Sequence, residues 1–390
     1  MKITSIKSHV LRYELDRELG YSQQYYKYRT VHLVCVETDE GITGWGECFG
    51  PGNIALTNKF IIENVISPMI LGEDPNNKEK IWHKVYNLLR DSGQKGMPIQ
   101  AISGLDIALW DILGKKAKLP LYQLIGGKCN NEIAAYGYGM MLQKKSLKEL
   151  VLLFEIEAKQ IKSKNFKAMK MKVGLGPKED LELVKAVRKV IGDDYRLMVD
   201  ANHAYNTADA LYVGKGLDDL DVYWFEEPIA PEDYEGYKEL KNKLKTNIAG
   251  GEGEFTKWGW RHLIQNRCID IAQPEVCGLG GITEYLKVAA LAQANFIPVV
   301  NHVWGSALSI AVNLHLLTAM PDMPGGLFPA KPMLEFDTTD KNIFISDLTE
   351  EKFDIFNQVK NNNGFVKALE GHGIGLNPSK DFIKKYEITK

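Results

Sequence analysis

Several hallmarks are missing from this 390-residue chain, and each absence excludes a class of protein. Cysteine is scarce. Cys35, Cys48, Cys129, Cys268 and Cys277 are odd in number, scattered, and never arranged as CxxC. That pattern excludes a disulfide scaffold or zinc ribbon and predicts reduced, mostly buried thiols. Charge of one sign is lacking as well: the net charge is −2, so nothing favours nucleic acid or an anionic membrane as partner. An anionic ligand must therefore be drawn by a local cation. No apolar run is long enough to span a membrane. The opening MKITSIKSHVLRYEL alternates like a strand and lacks the apolar centre and small-residue cleavage site of a secretory leader. The expectation is a cytoplasmic protein without low-complexity segments or long linkers.

What is present is a globular composition, 45% hydrophobic and 25% charged. The length exceeds one ordinary domain and suits a barrel of roughly 250 residues plus a smaller domain. The first third reads as α+β. VHLVCVET and ITGWGEC are β-rich runs joined by a tight turn at Asp39–Gly41, and the N-terminal stretch supplies a third strand. EKIWHKVYNLLRD and AISGLDIALWDILGKKAKL carry apolar residues at helical spacing. From Asn131 strands and helices alternate. The pattern predicts strands at 133–139, 166–173, 196–201, 222–227, 247–251, 269–274, 297–301 and 332–336. Helices are predicted at 147–163, 177–191, 207–218, 233–245, 256–267, 281–294 and 305–319. Several of these strands are continuous apolar runs, as parallel strands buried on both faces require. The predicted organisation is a capping domain over 1–127, a (β/α)8 barrel of TIM type over 128–344, and a tail, 345–390, returning to the first domain.

Charged residues recur where these apolar runs end: Lys172, Asp200, Glu226, Glu252, Glu275, His302 and Glu335. Asp200, Glu226 and Glu252 stand 26 residues apart, one helix plus one strand plus two short connections. Charges repeated at one point of successive βα units meet at the C-terminal rim of a barrel, where such barrels place active sites. Three crowded carboxylates repel one another unless a cation neutralises them. An all-oxygen set suits Mg2+, Mn2+ or Ca2+ rather than zinc. Adjacent Glu226 and Glu227 face opposite sides of a strand, and Glu226 is the expected ligand. Glu254, two residues beyond Glu252, is the competitor for the third position.

Lys170 and Lys172 share one face of a strand otherwise rich in Met, Phe and Val, where inward lysines are unusual. A desolvated lysine beside another cation has a lowered pKa and can act as a general base. His302, also at a strand end, gains weight from Glu275 on the neighbouring strand, which can fix its tautomer. A divalent cation with a lysine on one side and a histidine on the other suits removal of a proton α to a carboxylate.

At these residues the chain resembles the enolase superfamily, its mandelate racemase subgroup in particular. ETDEGITGWGE, GLDIALWDILGK, KMKVG, MVDANH, WFEEP, AGGE, QPEVCGLGGITE, NHVWGS and MLEFD follow the family's landmarks in order over nearly the whole chain. A Lys or His base used with magnesium is a known property of that superfamily. The resemblance implies Mg2+ on Asp200, Glu226 and Glu252, with Mn2+ able to substitute. It implies Lys172 and His302 as acid/base residues, Lys170 and Glu335 at the substrate carboxylate, and Asn202 beside the metal site. Where the family usually has aspartate after QP, this chain has Glu275, one methylene longer, which puts the histidine dyad in question.

Within the subgroup, EKIWHKVYNLLRDSGQKG and PMLEFD resemble acid-sugar dehydratases and galactarolactone cycloisomerases. The resemblance implies dehydration of an acid sugar to a 2-keto-3-deoxy acid. Cycloisomerisation or epimerisation of an aldarolactone or acid sugar through the same enolate is the alternative, and a metal-binding homologue without catalysis is a remote one. The implied partners are a small acid sugar or its lactone and further copies of the chain, as an octamer or dimer. Cap loops at Gly20–Tyr28 and Phe49–Asn53 would cover the mouth. There Tyr25 and Arg29, in a cluster with Tyr21, Tyr26 and Tyr28, either meet a polyol chain or second carboxylate, or pack as partly buried aromatics with Arg29 in an ion pair. His32 reads as core, His203 as a lesser alternative acid, and Trp304 as packing at the barrel rim.

Overall fold

The computed structural model describes residues 1–323, 325–327, 329, 331–339 and 342–388. Three antiparallel strands open the chain: β1 (Ile3–Tyr21), β2 (Gln24–Thr38) and β3 (Thr43–Cys48), paired in the order β1-β2-β3. The run from Val31 to Val36 in β2 is buried throughout, as suits a middle strand covered on both faces. The segment expected as the loop Gly20–Tyr28 is instead the tip of a long hairpin. Tyr21 pairs with Gln24, and pairing continues down both strands past a register shift between Glu14 and Leu19. Tyr25, Tyr26 and Tyr28 are good strand formers, so the chain extends the ladder rather than leaving it.

Helix Met97–Ala117 lies across β3. The two backbones approach so closely that a Cβ at Gly46 would stand 2.0 Å from Gly104 O, and one at Gly44 would stand 2.2 Å from Ala108 O. The GWG of the sequence is thus a steric requirement of this packing.

Seven parallel strands follow: β4 (Ile133–Tyr138), β5 (Ala168–Lys172), β6 (Arg196–Asp200), β7 (Trp224–Glu226), β8 (Asn247–Gly250), β9 (Ile271–Ala272) and β10 (Met333–Asp337). Their order is β10-β4-β5-β6-β7-β8-β9. The 297–301 segment takes the remaining place through a single parallel bridge, Ala272 to Val299, shorter than the five-residue strand its apolar run predicts. Pro298 has no N–H to offer a ladder. Next to β10, the Glu335 carboxylate accepts from Val303 N at 2.9 Å. One side chain from each of the eight segments fills the barrel interior: Tyr136, Ala168, Met198, Trp224, Ala249, Ile271, Val300 and Met333. The helices fall where periodicity places them, three with unchanged ends: Leu147–Ser163, Pro177–Ile191 and Gly281–Ala294.

The last strand, β11 (Phe365–Val366), pairs antiparallel with β4. Beyond it Gly373 bridges Pro120, Ile374 N donates to Asp111 Oδ1, and Glu387 bridges Leu11 on β1. Cys35, Cys48, Cys268 and Cys277 are buried and Cys129 is exposed, all as free thiols. Among the described residues, no helix is long and apolar enough to cross a membrane.

The antiparallel part is fastened to the barrel by buried acids at helix N-termini. Glu47 accepts from Ser306 N at 3.0 Å, Ser306 Oγ at 2.5 Å and Ser309 N at 3.2 Å, at the start of helix Ala307–Ala319. Asp106 accepts from Thr283 N at 2.8 Å and Thr283 Oγ1 at 2.6 Å, in the first turn of Gly281–Ala294. Unpaired amides and the helix dipole make each N-terminus a natural seat for a carboxylate.

Candidate active site

Side chains alternate along a strand, so residues two apart share a face. In β5, Ala168 faces the barrel interior, and Lys170 and Lys172 follow it on that side. The same parity carries Met198 to Asp200, Trp224 to Glu226, Val300 to His302, and Met333 to Glu335 and Asp337. All of these charged groups are buried. Where strands end, the backbone turns sharply: Asn202, His203 and Glu227 adopt left-handed φ values of 41°, 65° and 43°. Such conformations are costly away from glycine and cluster at functional sites.

Asp200, Glu226 and Glu252 each present a carboxylate oxygen within 4.8 Å of the others. Lys172 Nζ lies 2.5 Å from Asp200 Oδ2 and 2.8 Å from Asn202 Oδ1. His302 Nε2 lies 3.3 Å from Glu252 Oε2, while its Nδ1 meets Glu275 Oε2 at 2.7 Å. Behind them, Lys170 Nζ bridges Glu226 Oε1 at 2.6 Å and Glu335 Oε1 at 2.7 Å. Trp224 Nε1 and Gln273 Nε2 both donate to the second oxygen of Glu226.

The extra methylene of Glu275 does not prevent its contact with the histidine. Its other oxygen accepts from Cys277 N at 2.8 Å, and that anchor lets the longer side chain reach His302. Glu227 pairs with His203 Nε2 at 2.8 Å. Glu254 is tied to Lys95 Nζ at 3.3 Å and accepts from Tyr234 Oη at 3.0 Å, and it stands outside the cluster of three.

Electrostatics set the charge that each of these groups carries. Burial, reinforced for Glu226 by Asp200 and for Glu252 by Glu227, pushes Glu226 up to about 8 and Glu252 up to about 7. Burial also opposes the charge on Asp200, but Lys172 and Lys170 outweigh it and hold that carboxyl at about 2. Lys172 departs from the sequence expectation of a lowered pKa. Burial works in that direction, yet Asp200 outweighs it and holds the ammonium above the ordinary lysine value. A lowered value requires the carboxylates to be neutralised by a cation. Burial opposes the charge on His302, while Glu252 and Glu275 raise it to about 10. The residues fit a hard divalent ion: three carboxylates converge, Glu252 Oε2 is buried with only the His302 ring nitrogen near it, at 3.3 Å, and the donor set is all oxygen.

The cap reaches this mouth twice. At the hairpin tip, Ser22 Oγ and Gln23 Nε2 donate to Asn202 O at 2.7 and 2.8 Å. A Cβ at Gly174 (φ +124°) would lie 2.4 Å from Ser22 Cβ, so the glycine of KMKVG gives the tip room to seat. Phe49 packs edge-on against the His302 ring at 5.8 Å, and its N donates to Cys277 O at 2.7 Å. The two expected cap contacts part company. Tyr25, 37% exposed, lies against Lys144 outside the network. Arg29 is buried at the rim in an ion pair with Asp337 Oδ2 at 2.7 Å, over the Trp304 ring. His32 is fully buried core.

Sequence reading missed the Glu47 and Asp106 seats and the His203–Glu227 pair. The GWGE and GLDIALWDILGK landmarks contain the first two, but spacing alone gives no partner across the domain seam.

Residues 154–382 match the enolase C-terminal domain-like family, and residues 20–126 match the mandelate racemase / muconate lactonizing enzyme N-terminal domain. The D-galactarolactone cycloisomerase of Agrobacterium fabrum is 36% identical over 388 residues, covering 100% of this chain and 99% of its own. The arabinonate dehydratase of Saccharolobus solfataricus is 36% identical over 286 residues, 73% of this chain and 75% of its own. The crystal structure of L-talarate/galactarate dehydratase from Salmonella typhimurium LT2, liganded with Mg and L-lyxarohydroxamate, is 26% identical with a TM-score of 0.83 over 100% of this chain and 93% of that one. The chain belongs to the mandelate racemase / muconate lactonizing enzyme family of the enolase superfamily.

Proposed function

We propose that this protein is a magnesium-dependent enzyme that removes the proton α to the carboxylate of an acid sugar. The observation that carries the reading is three converging carboxylates with Lys172 in contact with Asp200 and the His302–Glu275 pair in contact with Glu252. Asp200, Glu226 and Glu252 would hold the ion. When bound, magnesium supplies positive charge that polarises a substrate carboxylate and favours loss of its α-proton.

The remaining chemistry belongs to side chains. Lys170 and Glu335 form a bridged pair beside the triad and orient the carboxylate end. Lys172, steadied by Asp200 and Asn202, accepts or returns a proton at Nζ on one face of the α-carbon. His302 works at Nε2 on the other, its Nδ1 held by Glu275. In dehydration one of the two takes the α-proton and the other hands a proton to the departing β-hydroxyl. Water leaves, and the enol becomes a 2-keto-3-deoxy acid.

The second reading is cycloisomerisation, favoured by the relative that matches over the full length. It begins with the same proton and differs in the leaving group. Acid sugars and their lactones, incubated with the protein and Mg2+ or Mn2+ in D2O and followed by NMR, separate the two. A 2-keto-3-deoxy acid supports dehydration, and a rearranged lactone supports cycloisomerisation. Lys172→Ala or His302→Asn turning over at the wild-type rate would refute the assignment.

A further inference from the structure

The cluster directly above Lys170 and Glu335 bears on which acid sugar the site accepts. Asp337 lies two residues beyond Glu335 on β10, and Tyr138 two residues beyond Tyr136 on β4, so both occupy the interior-facing row nearest the mouth. They are register partners, and Tyr138 is also the partner of Lys170. Lys170 Nζ lies 5.9 Å from the Tyr138 ring. Trp304 packs against Tyr138 at 5.6 Å and against Tyr26 of the cap hairpin at 6.0 Å. Arg29, from the same hairpin, covers the Trp304 ring at 4.9 Å.

Two features of this cluster matter. First, its cation is already spent. Arg29 pairs with Asp337, and Asp337 is fixed further by Thr339 N, Thr339 Oγ1 and Asn342 Nδ2. Two other cations are also matched: Lys95 with Glu254, and His203 with Glu227. Second, the Tyr26 and Tyr138 hydroxyls and Arg29 Nε are buried without hydrogen-bond partners. Buried polar atoms of this kind normally find a partner. Neutral hydroxyls of a ligand can supply one. A second carboxylate would enter beside Asp337, whose countercharge Arg29 is already paired, and such like-charge juxtaposition is unfavourable.

We infer that the site takes an acid sugar with a single free carboxylate, held at Lys170 and the metal, and a neutral polyol or ring end held by Tyr26, Tyr138 and Trp304. Aldonates and aldarolactones satisfy this description, whereas open-chain aldarates do not. The inference rests on the proposed function for the position of the first carboxylate.

The test sets hexonates, hexarates and hexarolactones of matched stereochemistry against the Mg2+-loaded full chain. Turnover is read by NMR in D2O, and binding by thermal shift on the Lys172→Ala variant. The expected result is a kcat/KM for the best singly charged acid at least about 100-fold above its matched hexarate, with thermal stabilisation by the former alone. Tyr138→Phe should raise KM for that acid about tenfold or more with a smaller change in kcat. Asp337→Asn should move the ratio toward the hexarate by about tenfold or more. A hexarate bound or turned over as well as its singly charged counterpart overturns the inference. So does an Asp337→Asn ratio equal to wild type in protein that still folds. Failure of the catalytic reading looks different: selective binding of singly charged acids would persist without α-proton exchange.

Discussion

Two sets of buried carboxylates in this molecule make an instructive pair. Glu47 and Asp106 sit at the seam between cap and barrel; Asp200, Glu226 and Glu252 sit at the barrel mouth. Burial is nearly complete for the seam pair and for Asp200 and Glu226. The seam acids face two or three hydrogen-bond donors each, at the start of a helix. Asp200 and Glu226 also meet donors, but the three mouth acids converge within 4.8 Å of one another, and Glu252 Oε2 meets only His302 Nε2, at 3.3 Å. An acid that meets backbone amides takes its hydrogen-bond partners from the fold itself. Three that converge on one another repel, and call for an ion from outside. Burial alone therefore does not mark a functional acid; its partners do.

The comparison breaks most visibly at the mouth. Lys172→Ala and His302→Asn are expected to lower kcat by about 10^2 to 10^4-fold, the usual contribution of a general acid or base, while unfolding near the wild-type denaturant midpoint. Steady-state kinetics beside urea titrations check both halves.

Chelation should come next. Removing divalent ions is expected to abolish turnover, and returning Mg2+ at about 100 times its dissociation constant should add about 2.7 kcal/mol of stability. Glu252→Gln should lose most of that gain, whereas Glu47→Gln should keep it. Calorimetric melts with and without Mg2+ would show the contrast, and equal Mg2+ responses in the two variants would erase it.

The seam predicts the opposite profile. Glu47→Ala removes a helix cap and leaves buried donors unpaired, so a loss of about 2–4 kcal/mol of folding stability is expected. The surviving folded protein should retain a larger share of turnover than either base variant.

The smallest effect is in pH. Burial, only partly offset by the Ser306 and Ser309 donors, pushes Glu47 up to about 7. In the unfolded chain it titrates near 4.3. Between those values the native state holds the proton and the unfolded state does not. The contribution of Glu47 to stability is thus greatest below about pH 4 and is lost as pH rises toward 7, about 1–3 kcal/mol in all. Glu47→Gln should flatten that part of the stability curve between pH 5 and 7; an unchanged slope in urea titrations would contradict the burial argument.

The barrel was readable in the sequence because its rule is local. A strand buried on both faces is a short apolar run, and the residue that ends it stands at the mouth. That reasoning reached Lys170, Lys172, Asp200, Glu226, Glu252, His302 and Glu335, which the structure gathers into one network. It did not reach contacts between distant segments. Arg29 and Tyr25 are four residues apart, yet one is buried against Asp337 and the other faces outward. Their fates depend on hairpin register and on how the tip seats over Gly174. Glu275 is intermediate: residue type raised the question, and only the anchor at Cys277 N shows how the longer side chain reaches His302.

The central claim is that Lys172 and His302 move protons at the α-carbon of an acid sugar. Its most direct test is proton NMR in D2O with Mg2+ and a panel of aldonates and aldarolactones, using wild type, the two single variants and the double variant. The account predicts α-proton loss or exchange by wild type on at least one acid, impaired turnover in each single variant, and none in a folded, Mg2+-responsive double variant. Wild-type turnover by that double variant would contradict it.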